Sequence, residues 1–203
     1  MEPIDSDLMC RFQQGDQTAY EELVNRYSVR LHRFLQRLVL NSAVAEELTQ
    51  DTFLRVFLAR ERYQASATFS TWIYRIATNL ALNWLRDSRR ARQAASLEAL
   101  TIFGTRLQIP SPARTAEENL LAMVNRDRIR MAIEALPERQ RLAVILHKYE
   151  GMDYEAIART LGCSVAALKS LLCRAYAVLR GRLTADDEAQ NSLPLYIEAT
   201  YCS

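Results

Sequence analysis

Residues 69–92 have the sequence FSTWIYRIATNLALNWLRDSRRAR, and this stretch decides how the rest of the chain is interpreted. On an α-helix, with about 100° between successive residues, the side chains separate into two faces. An apolar arc of about 100° predicts the side that faces a core, and it contains Ile73, Ile76, Ala77, Leu80 and Trp84. A second arc is polar and contains Arg75, Asn79, Asn83 and Arg86, with Trp72 among them.

The polar arc has the chemistry of a nucleic-acid contact. Amides can hydrogen-bond the edges of bases, guanidinium groups neutralise phosphates, and an indole stacks on an unpaired base. Arg89 and Arg90 add positive charge at the end of the stretch. Periodicity alone is equally compatible with a solvated helix face that holds one half-buried tryptophan, so it leaves both interpretations open.

The order of the residues is more specific than their periodicity. F-S-T-W-I-Y-R-I-A-T-N, followed by a basic run, closely resembles the second conserved region of bacterial RNA polymerase sigma factors of the extracytoplasmic-function (ECF) group, whose pattern is F-x-T-W-L-Y-R-I-A-x-N. The resemblance implies that the preceding connector, residues 60–70, captures a base flipped out of the promoter −10 element, and that Asn79 reads a base. The implied −10 contacts are Trp72, Arg75, Asn79, Asn83, Arg86, Arg89 and Arg90.

Length and composition indicate a globular protein of one or two domains. The chain has 203 residues, of which 49% are hydrophobic and 25% charged, and this balance excludes wholesale disorder. No apolar run approaches the ~20 residues that span a bilayer. The N-terminal sequence MEPIDSDLMCRF is acidic and has no hydrophobic signal core. We therefore expect a cytoplasmic protein without membrane insertion.

The residue types that carry catalysis or bind metals are scattered. Four cysteines (Cys10, Cys163, Cys173 and Cys202) form no CxxC pair, and the chain has only two histidines. This argues against a zinc site and against a disulfide framework. The five glycines are widely separated, so no phosphate-cradling loop is predicted. We expect no cofactor, no metal and no enzymatic activity.

The net charge of +2 is low for a nucleic-acid binder, but the charges are segregated. A chain that meets both DNA and a protein partner would show this separation. Acidic residues collect in 2–7, 46–51 and 186–188, whereas basic residues collect in 86–92, 126–130 and 169–182.

The N-terminal part predicts three further helices. Residues 8–40 form two helices with a break at Gln14-Gly15-Asp16, and residues 43–59 form a third, capped by Asn41-Ser42. In the third helix Val44, Leu48, Thr52 and Val56 mark the buried side, with Phe53 and Leu54 adjacent.

The third helix also carries an acidic cluster. By itself the cluster is compatible with a solvated face that complements the helix dipole. The segment E-E-L-T-Q-D-T-F resembles the sigma-factor pattern D-L-x-Q-[ED]-x-F. That resemblance implies that Glu47, Gln50 and Asp51 contact the coiled coil of the polymerase β′ clamp.

The C-terminal part predicts a helix-turn-helix. Helices are expected over 116–136 and after Pro137, where L-P-E-R-Q-R is typical of the fourth sigma region. A short helix ends at Gly162, and Ser164 caps another that runs to about residue 182. Periodicity alone leaves a simple helical hairpin open. The family pattern S-x-G-T-V-K-S-R-L-x-R-A becomes S-V-A-A-L-K-S-L-L-C-R-A here, and the implied −35 contacts are Ser164, Ala167, Lys169, Ser170 and Arg174.

The predicted fold is all-α, with two small helical domains (8–92 and 117–182), a flexible linker (93–116) and a loose tail (183–203). The resemblance implies a sigma factor that binds core RNA polymerase through the β′ clamp and the β flap, reads the −10 and −35 elements of promoter DNA and helps to melt the duplex. An anti-sigma factor is a further expected partner. The alternatives are a helix-turn-helix regulator that is not a polymerase subunit, and a protein-interaction adaptor. The first would not need the N-terminal half, and the second would not need the polar stripe.

Overall fold

The computed structural model describes residues 4–64, 68–95 and 127–190, and within these residues every regular element is a helix. The prediction of an all-α chain is confirmed. The helices, numbered in chain order, are α1 (Asp5–Gln13), α2 (Gln17–Val39), α3 (Ser42–Leu58), α4 (Phe69–Ala95), α5 (described over 127–134), α6 (Glu138–Lys148), α7 (Tyr154–Leu161) and α8 (Val165–Gln190), with a 3-10 turn at Arg60–Arg62 between α3 and α4.

The chain divides into two units. The first comprises Met1–Thr105 together with Glu155–Cys163, and the second comprises Arg106–Tyr154 together with Ser164–Ser203. This division assigns all of α7 except Tyr154 to the first unit, whereas the sequence groups the helix with the C-terminal domain. Most of the predicted linker, including the short segment 97–103, lies outside the described residues, as does the start of the helix predicted over 116–136. The domain boundaries at 92, 117 and 182 stay predictions; the first and last of them lie within the described helices α4 and α8.

The turn between α1 and α2 is set by two adjacent residues. Gly15 has a φ of +97°, a left-handed conformation that glycine adopts without the steric cost of a side chain. Asp16 then caps α2, because its carboxylate accepts hydrogen bonds from the backbone amides of Thr18 and Ala19. The predicted break at residues 14–16 is confirmed.

Helix α2 is the centre of the first unit. It packs against α1, α3 and α4, and its fully buried side chains include Leu23, Leu31 and Phe34. The ring of Phe34 meets that of Tyr74 on α4 edge-on, with centroids 5.1 Å apart. Asn41 caps α3 by accepting a hydrogen bond from the Val44 amide, as the sequence predicts.

The buried side of α4 is wider than the predicted stripe. Ile76 and Trp84 are only half-buried. Six residues of α4 outside the stripe are buried: Phe69, Thr71, Tyr74, Thr78, Ala81 and Leu85. The reason is that α4 packs on α1, α2 and α3 together. Contact with several helices covers a broader arc than the roughly 100° that one neighbour requires.

The second unit is held partly by two arginines. Arg141, 6% exposed, donates from Nη1 to the backbone oxygen of Glu134 and so ties α6 to the end of α5. Burial lowers the pKa of this guanidinium. Arg128 donates to the backbone oxygen of Leu183 and ties α5 to α8. Pro137 occupies the N-cap position of α6, one residue before the first turn.

A three-residue turn separates α7 from α8. Gly162 has a φ of +61°, the Cys163 amide donates to the carbonyl of Ala158, and the Ser164 hydroxyl accepts from the Ala167 amide. These contacts end one helix and cap the next, as predicted.

Helix α8 continues to Gln190, beyond the predicted end near residue 182. Leu183 is buried, and residues 183–190 contain no proline that would end the helix. The rest of the predicted tail, 191–203, lies outside the described residues.

Among the described helices, no single one is long and apolar enough to cross a membrane. The pair formed by Tyr154–Leu161 and Val165–Thr184 reaches the required length and composition only when the two are taken together.

Candidate nucleic-acid and polymerase interfaces

The polar side chains of α4 form one exposed face. Arg75, Asn79, Asn83 and Arg86 are all exposed, and Trp72 is half-buried at the same side of the helix. The opposite side is anchored by Ile73, Ala77 and Ala81, each fully buried. The structure therefore presents these polar groups on a rigid support.

Trp72 is held by an aromatic cluster at the start of α4. Its ring centroid lies 5.0 Å from that of Tyr63 and 6.0 Å from that of Phe69, and Phe69 in turn packs edge-on against Tyr27. The Thr68 hydroxyl accepts a hydrogen bond from the Thr71 amide and so caps this end of the helix. Burial is the largest cause of the raised pKa of Tyr63. The indole is thus packed against two rings and remains partly exposed.

The basic end of α4 contains a carboxylate that the sequence analysis did not use. Asp87 lies 3.6 Å from Nε of Arg86 and 3.9 Å from Nη1 of Arg90. Arg86 also donates to the Asn83 side-chain oxygen at 3.1 Å. Arg89 is exposed as well. Part of the positive charge predicted to meet phosphates is therefore already balanced, and the signal was the single acid inside R-D-S-R-R.

Helix α3 exposes its acidic cluster together with apolar side chains. Glu47, Gln50 and Asp51 are exposed. Leu54 and Leu58, which follow Gln50 at steps of four residues, are 55% and 70% exposed. Placing Leu54 beside the core was therefore wrong: the buried side of α3 ends at Phe53 and Val56. An interaction surface with an apolar centre and an acidic end results.

The first turns of α8 expose the residues predicted to meet the −35 element. Ser164, Ala167, Lys169, Ser170 and Arg174 are exposed, whereas Leu168 and Leu172 are buried. Nε of Arg174 donates to the backbone oxygen of Ser170 at 3.1 Å, which directs the guanidinium along the N-terminal half of the helix. The Ser164 hydroxyl oxygen already serves as the cap of α8.

No cluster of three or more His, Cys, Asp or Glu side chains that could hold a metal ion occurs in residues 4–64, 68–95 and 127–190. What these residues do present is a helix face of amides, guanidinium groups and an indole, and a capped helix that follows a glycine turn. Together these two features are typical of helical DNA-binding proteins.

Two families match the sequence. Sigma-70 region 2 matches residues 23–91, which include α3 and most of α4, and Sigma-70, region 4 matches residues 126–179, which include α6 and α7 and the first turns of α8. Residues 92–125 lie between the two matches and include the segment 93–116 that the sequence predicts as a linker.

Curated relatives carry the same family name. The ECF RNA polymerase sigma factor SigE of Mycolicibacterium smegmatis is 36% identical over 174 residues, which are 83% of this chain and 64% of SigE, so the chain spans a little under two thirds of that relative. RNA polymerase sigma factor CarQ of Myxococcus xanthus is 36% identical over 172 residues, 85% of this chain and 93% of CarQ. The chain belongs to the sigma-70 family of RNA polymerase sigma factors, within its ECF group.

Two solved structures resemble the fold. CnrH in complex with the cytosolic domain of CnrY has a TM-score of 0.64 at 27% identity and covers 90% of this chain and 98% of that chain. The sigma factor RpoE in complex with the anti-sigma factor NepR from Bartonella quintana has a TM-score of 0.66 at 21% identity. The match covers 82% of this chain and 98% of that chain. At that identity the second structure supports the fold alone.

Proposed function

We propose that this sigma factor binds core RNA polymerase and directs initiation at promoters by reading the −10 and −35 elements and helping to melt the DNA. The observation that carries the proposal is the exposed polar face of α4. Two amides and two guanidinium groups lie there beside one half-buried indole, on a helix whose other side is core.

The α4 face suits a single strand better than a closed duplex. An extruded base needs a stacking surface and a polar group that reads its edge, and its extrusion costs a few kcal/mol. Trp72 supplies the stacking surface, and Asn79 the donor and acceptor. Arg75, Asn83, Arg86, Arg89 and Arg90 bind the sugar–phosphate backbone around them.

Core polymerase is proposed to bind α3. Glu47, Gln50 and Asp51 supply acidic and polar groups for a basic surface of the β′ clamp coiled coil. The exposed side chains of Leu54 and Leu58 supply the apolar area that gives such an interface most of its stability. The C-terminal domain is proposed to bind the β flap.

The −35 element is proposed to receive the start of α8 in its major groove. Lys169 binds phosphate, Ser170 and Arg174 reach base edges, and Ala167 contacts thymine methyl groups. Ser164 contributes mainly by capping the helix, because its oxygen already accepts the Ala167 amide.

Two domains joined by a linker would let one chain bind two promoter elements. The proposed domains are 8–92 and 117–182, and the proposed linker is 93–116. The proposed activity consists of binding and positioning, with no chemical step of its own, and its place is the cytoplasm. An anti-sigma factor is a proposed partner, as the resemblance to ECF sigma factors implies; the similar structure of CnrH, at 27% identity, was solved in complex with a protein segment, the cytosolic domain of CnrY.

Reconstitution with purified core polymerase tests the proposal. The mixture is given a library of templates with randomised −35 and −10 segments, and the transcribed templates are sequenced. The proposal expects transcripts that start at one distance from an enriched pair of motifs and that need both the chain and core. If the chain enriches DNA without core and supports no transcription with it, the protein is a helix-turn-helix regulator instead.

A further inference from the structure

Gln13, the last residue of α1, joins two distant parts of the first unit. Its side-chain nitrogen donates to the backbone oxygen of Arg60 at 2.8 Å and to that of Tyr63 at 3.1 Å. Both backbone oxygens can only accept a hydrogen bond. The atom of the Gln13 amide that faces them must therefore be the nitrogen, which donates, and not the oxygen. The two carbonyls flank the 3-10 turn at Arg60–Arg62, so one side chain holds both ends of that turn.

The turn is also held at its start by rings. The Arg60 guanidinium lies 5.1 Å from the Phe57 ring centroid and 5.9 Å from that of Phe12. These contacts secure the end of the turn that leaves α3. The other end, at Tyr63, leads towards α4, and there the contact from Gln13 fixes the backbone.

Tyr63 links this backbone to the DNA-facing side of α4. Its side chain is 6% exposed, and its ring lies 5.0 Å from Trp72 at an interplanar angle of 59°. A shift of the backbone at Tyr63 moves the ring against which the indole rests. In a packed cluster such a shift reorients the neighbouring side chain, because interiors leave little free space.

We propose that Gln13 is a positioning residue for the −10 surface: it holds Tyr63, and through Tyr63 it sets the orientation of the Trp72 indole that stacks on the extruded base. The inference rests on the proposed function of the α4 face. It assigns to α1, which the region 2 match does not include, a part in promoter melting. The attachment of α1 itself has other support, since Leu8, Met9 and Phe12 are buried.

Two variants test this role. Gln13→Leu removes both donated hydrogen bonds, and Gln13→Glu keeps the size of the side chain but places acceptors against two carbonyls. Gln14→Leu, the same chemical change at the exposed next position, is the control. Each is made in the full chain and assembled with core polymerase on a promoter recovered from the library selection.

Three measurements are compared on each variant: core affinity, permanganate reactivity of the −10 region, and Trp72 fluorescence in a Trp84→Phe background. We expect both Gln13 variants to lower the open-complex fraction about tenfold, as the loss of one to two hydrogen bonds predicts. Core affinity should stay within about twofold, because α3 is unchanged by these substitutions. The emission of Trp72 should shift, whereas Gln14→Leu should change none of the three.

Normal permanganate reactivity in both Gln13 variants, with Asn79→Ala impaired in the same assay, overturns the positioning role and leaves the proposed function intact. An equal loss of core affinity and melting also overturns it, because the effect would then be general destabilisation. If Asn79→Ala melts promoters normally as well, the −10 assignment of α4 fails, and this inference fails with it.

Discussion

The carboxylate of Asp5 accepts a hydrogen bond of 2.5 Å from the Tyr27 hydroxyl, which joins the first turn of α1 to the middle of α2. The other carboxylate oxygen lies 3.0 Å from Nη1 of Arg26, and Arg26 also pairs with Glu22 four residues earlier. Burial, followed by the hydrogen bond to Asp5, raises the pKa of the Tyr27 phenol. This contact thus holds the first turn of α1, the helix that carries Gln13 at its other end.

Tyr27→Phe should lower the free energy of unfolding of the first unit by about 1.5–3 kcal/mol, the usual contribution of a hydrogen bond to a charged group. Urea unfolding followed by tryptophan fluorescence measures this, because Trp72 and Trp84 both lie in the first unit. Tyr20→Phe is the matched control: its hydroxyl donates to the neutral carbonyl of Phe53, so a smaller loss of about 0.5–1.5 kcal/mol is expected.

The raised pKa of Tyr27 predicts that the stability of the protein depends on pH in the alkaline range. Because its pKa is raised in the folded state from 10.0, the stability it contributes is fully present below pH 10.0 and is lost as the pH rises further. Wild-type stability should therefore fall more steeply above that pH than the stability of Tyr27→Phe. Parallel curves for the two proteins would show that the hydroxyl is not coupled to folding.

The lowered pKa of Asp16 predicts that the stability of the protein depends on pH in the acidic range. Hydrogen bonds from Thr18 and Arg11 are the main reasons why the pKa of its carboxyl is lowered from 3.8 to about 2. The stability that it contributes is therefore present above pH 3.8 and is lost as the pH falls towards 2. Asp16→Ala should lower the urea midpoint at pH 7 and remove part of the acid sensitivity. Asp16→Asn keeps a capping oxygen, so it should be more stable than the alanine variant. An unchanged acid profile in both variants contradicts this account.

Helix caps and turns could be predicted from the sequence, whereas contacts between residues distant in the chain could not. The break at residues 14–16, the cap at Asn41 and the turn at Gly162 depend on residues within a few positions of each other, and all three are where the sequence places them. Leu54 was misplaced because periodicity shows which residues share an arc, but not how far neighbouring helices extend over it. The contacts from Gln13 join residues 47 and 50 positions apart, which no local pattern predicts.

The polymerase surface on α3 is tested by charge reversal. Asp51→Arg should weaken binding to core polymerase by at least about 2 kcal/mol, because a like charge would then face the basic clamp surface. Co-purification with tagged core, together with a titration, measures the loss. Glu21→Arg makes the same change at an exposed position of α2 and should leave core affinity unchanged. If Asp51→Arg binds core as well as wild type with normal helicity, α3 does not meet the clamp.

The base-reading role proposed for Asn79 predicts a defect confined to promoter melting. Asn79→Ala should lower permanganate reactivity of the −10 region by about tenfold, as the loss of a base contact worth about 1–3 kcal/mol implies, with core affinity unchanged. Identical footprints with and without the Asn79 side chain would exclude the assignment.

The arginines at the basic end of α4 are proposed to bind phosphates, so their loss should affect DNA binding regardless of sequence. Arg86→Ala should weaken DNA binding on all sequences and reduce the salt slope by about one unit. Asp87→Asn should strengthen binding at low salt, because it releases Arg86 and Arg90 from a competing carboxylate.

The −35 contacts proposed for α8 give the most specific prediction. Relative to the family pattern, Ala167 and Leu171 replace a threonine and an arginine, so two polar readers are missing. Arg174 is exposed, and its Nε–H donates to Ser170 O, which orients the guanidinium. The −35 preference should therefore differ from the common one of the family and depend largely on Arg174. Arg174→Ala should cost roughly 1–3 kcal/mol and relax the preference at one or two base pairs.

Lys169→Ala is the matched variant, since its ammonium is proposed to meet phosphate alone. It should weaken binding about equally on every −35 sequence and lower the salt slope by about one unit. Selection from randomised −35 segments, performed with holoenzyme carrying each variant, separates the two effects: Lys169→Ala should return the wild-type motif, and Arg174→Ala a degenerate one. If Arg174→Ala returns the wild-type motif with equal information at each position, bases in the −35 element are read by other side chains of α8.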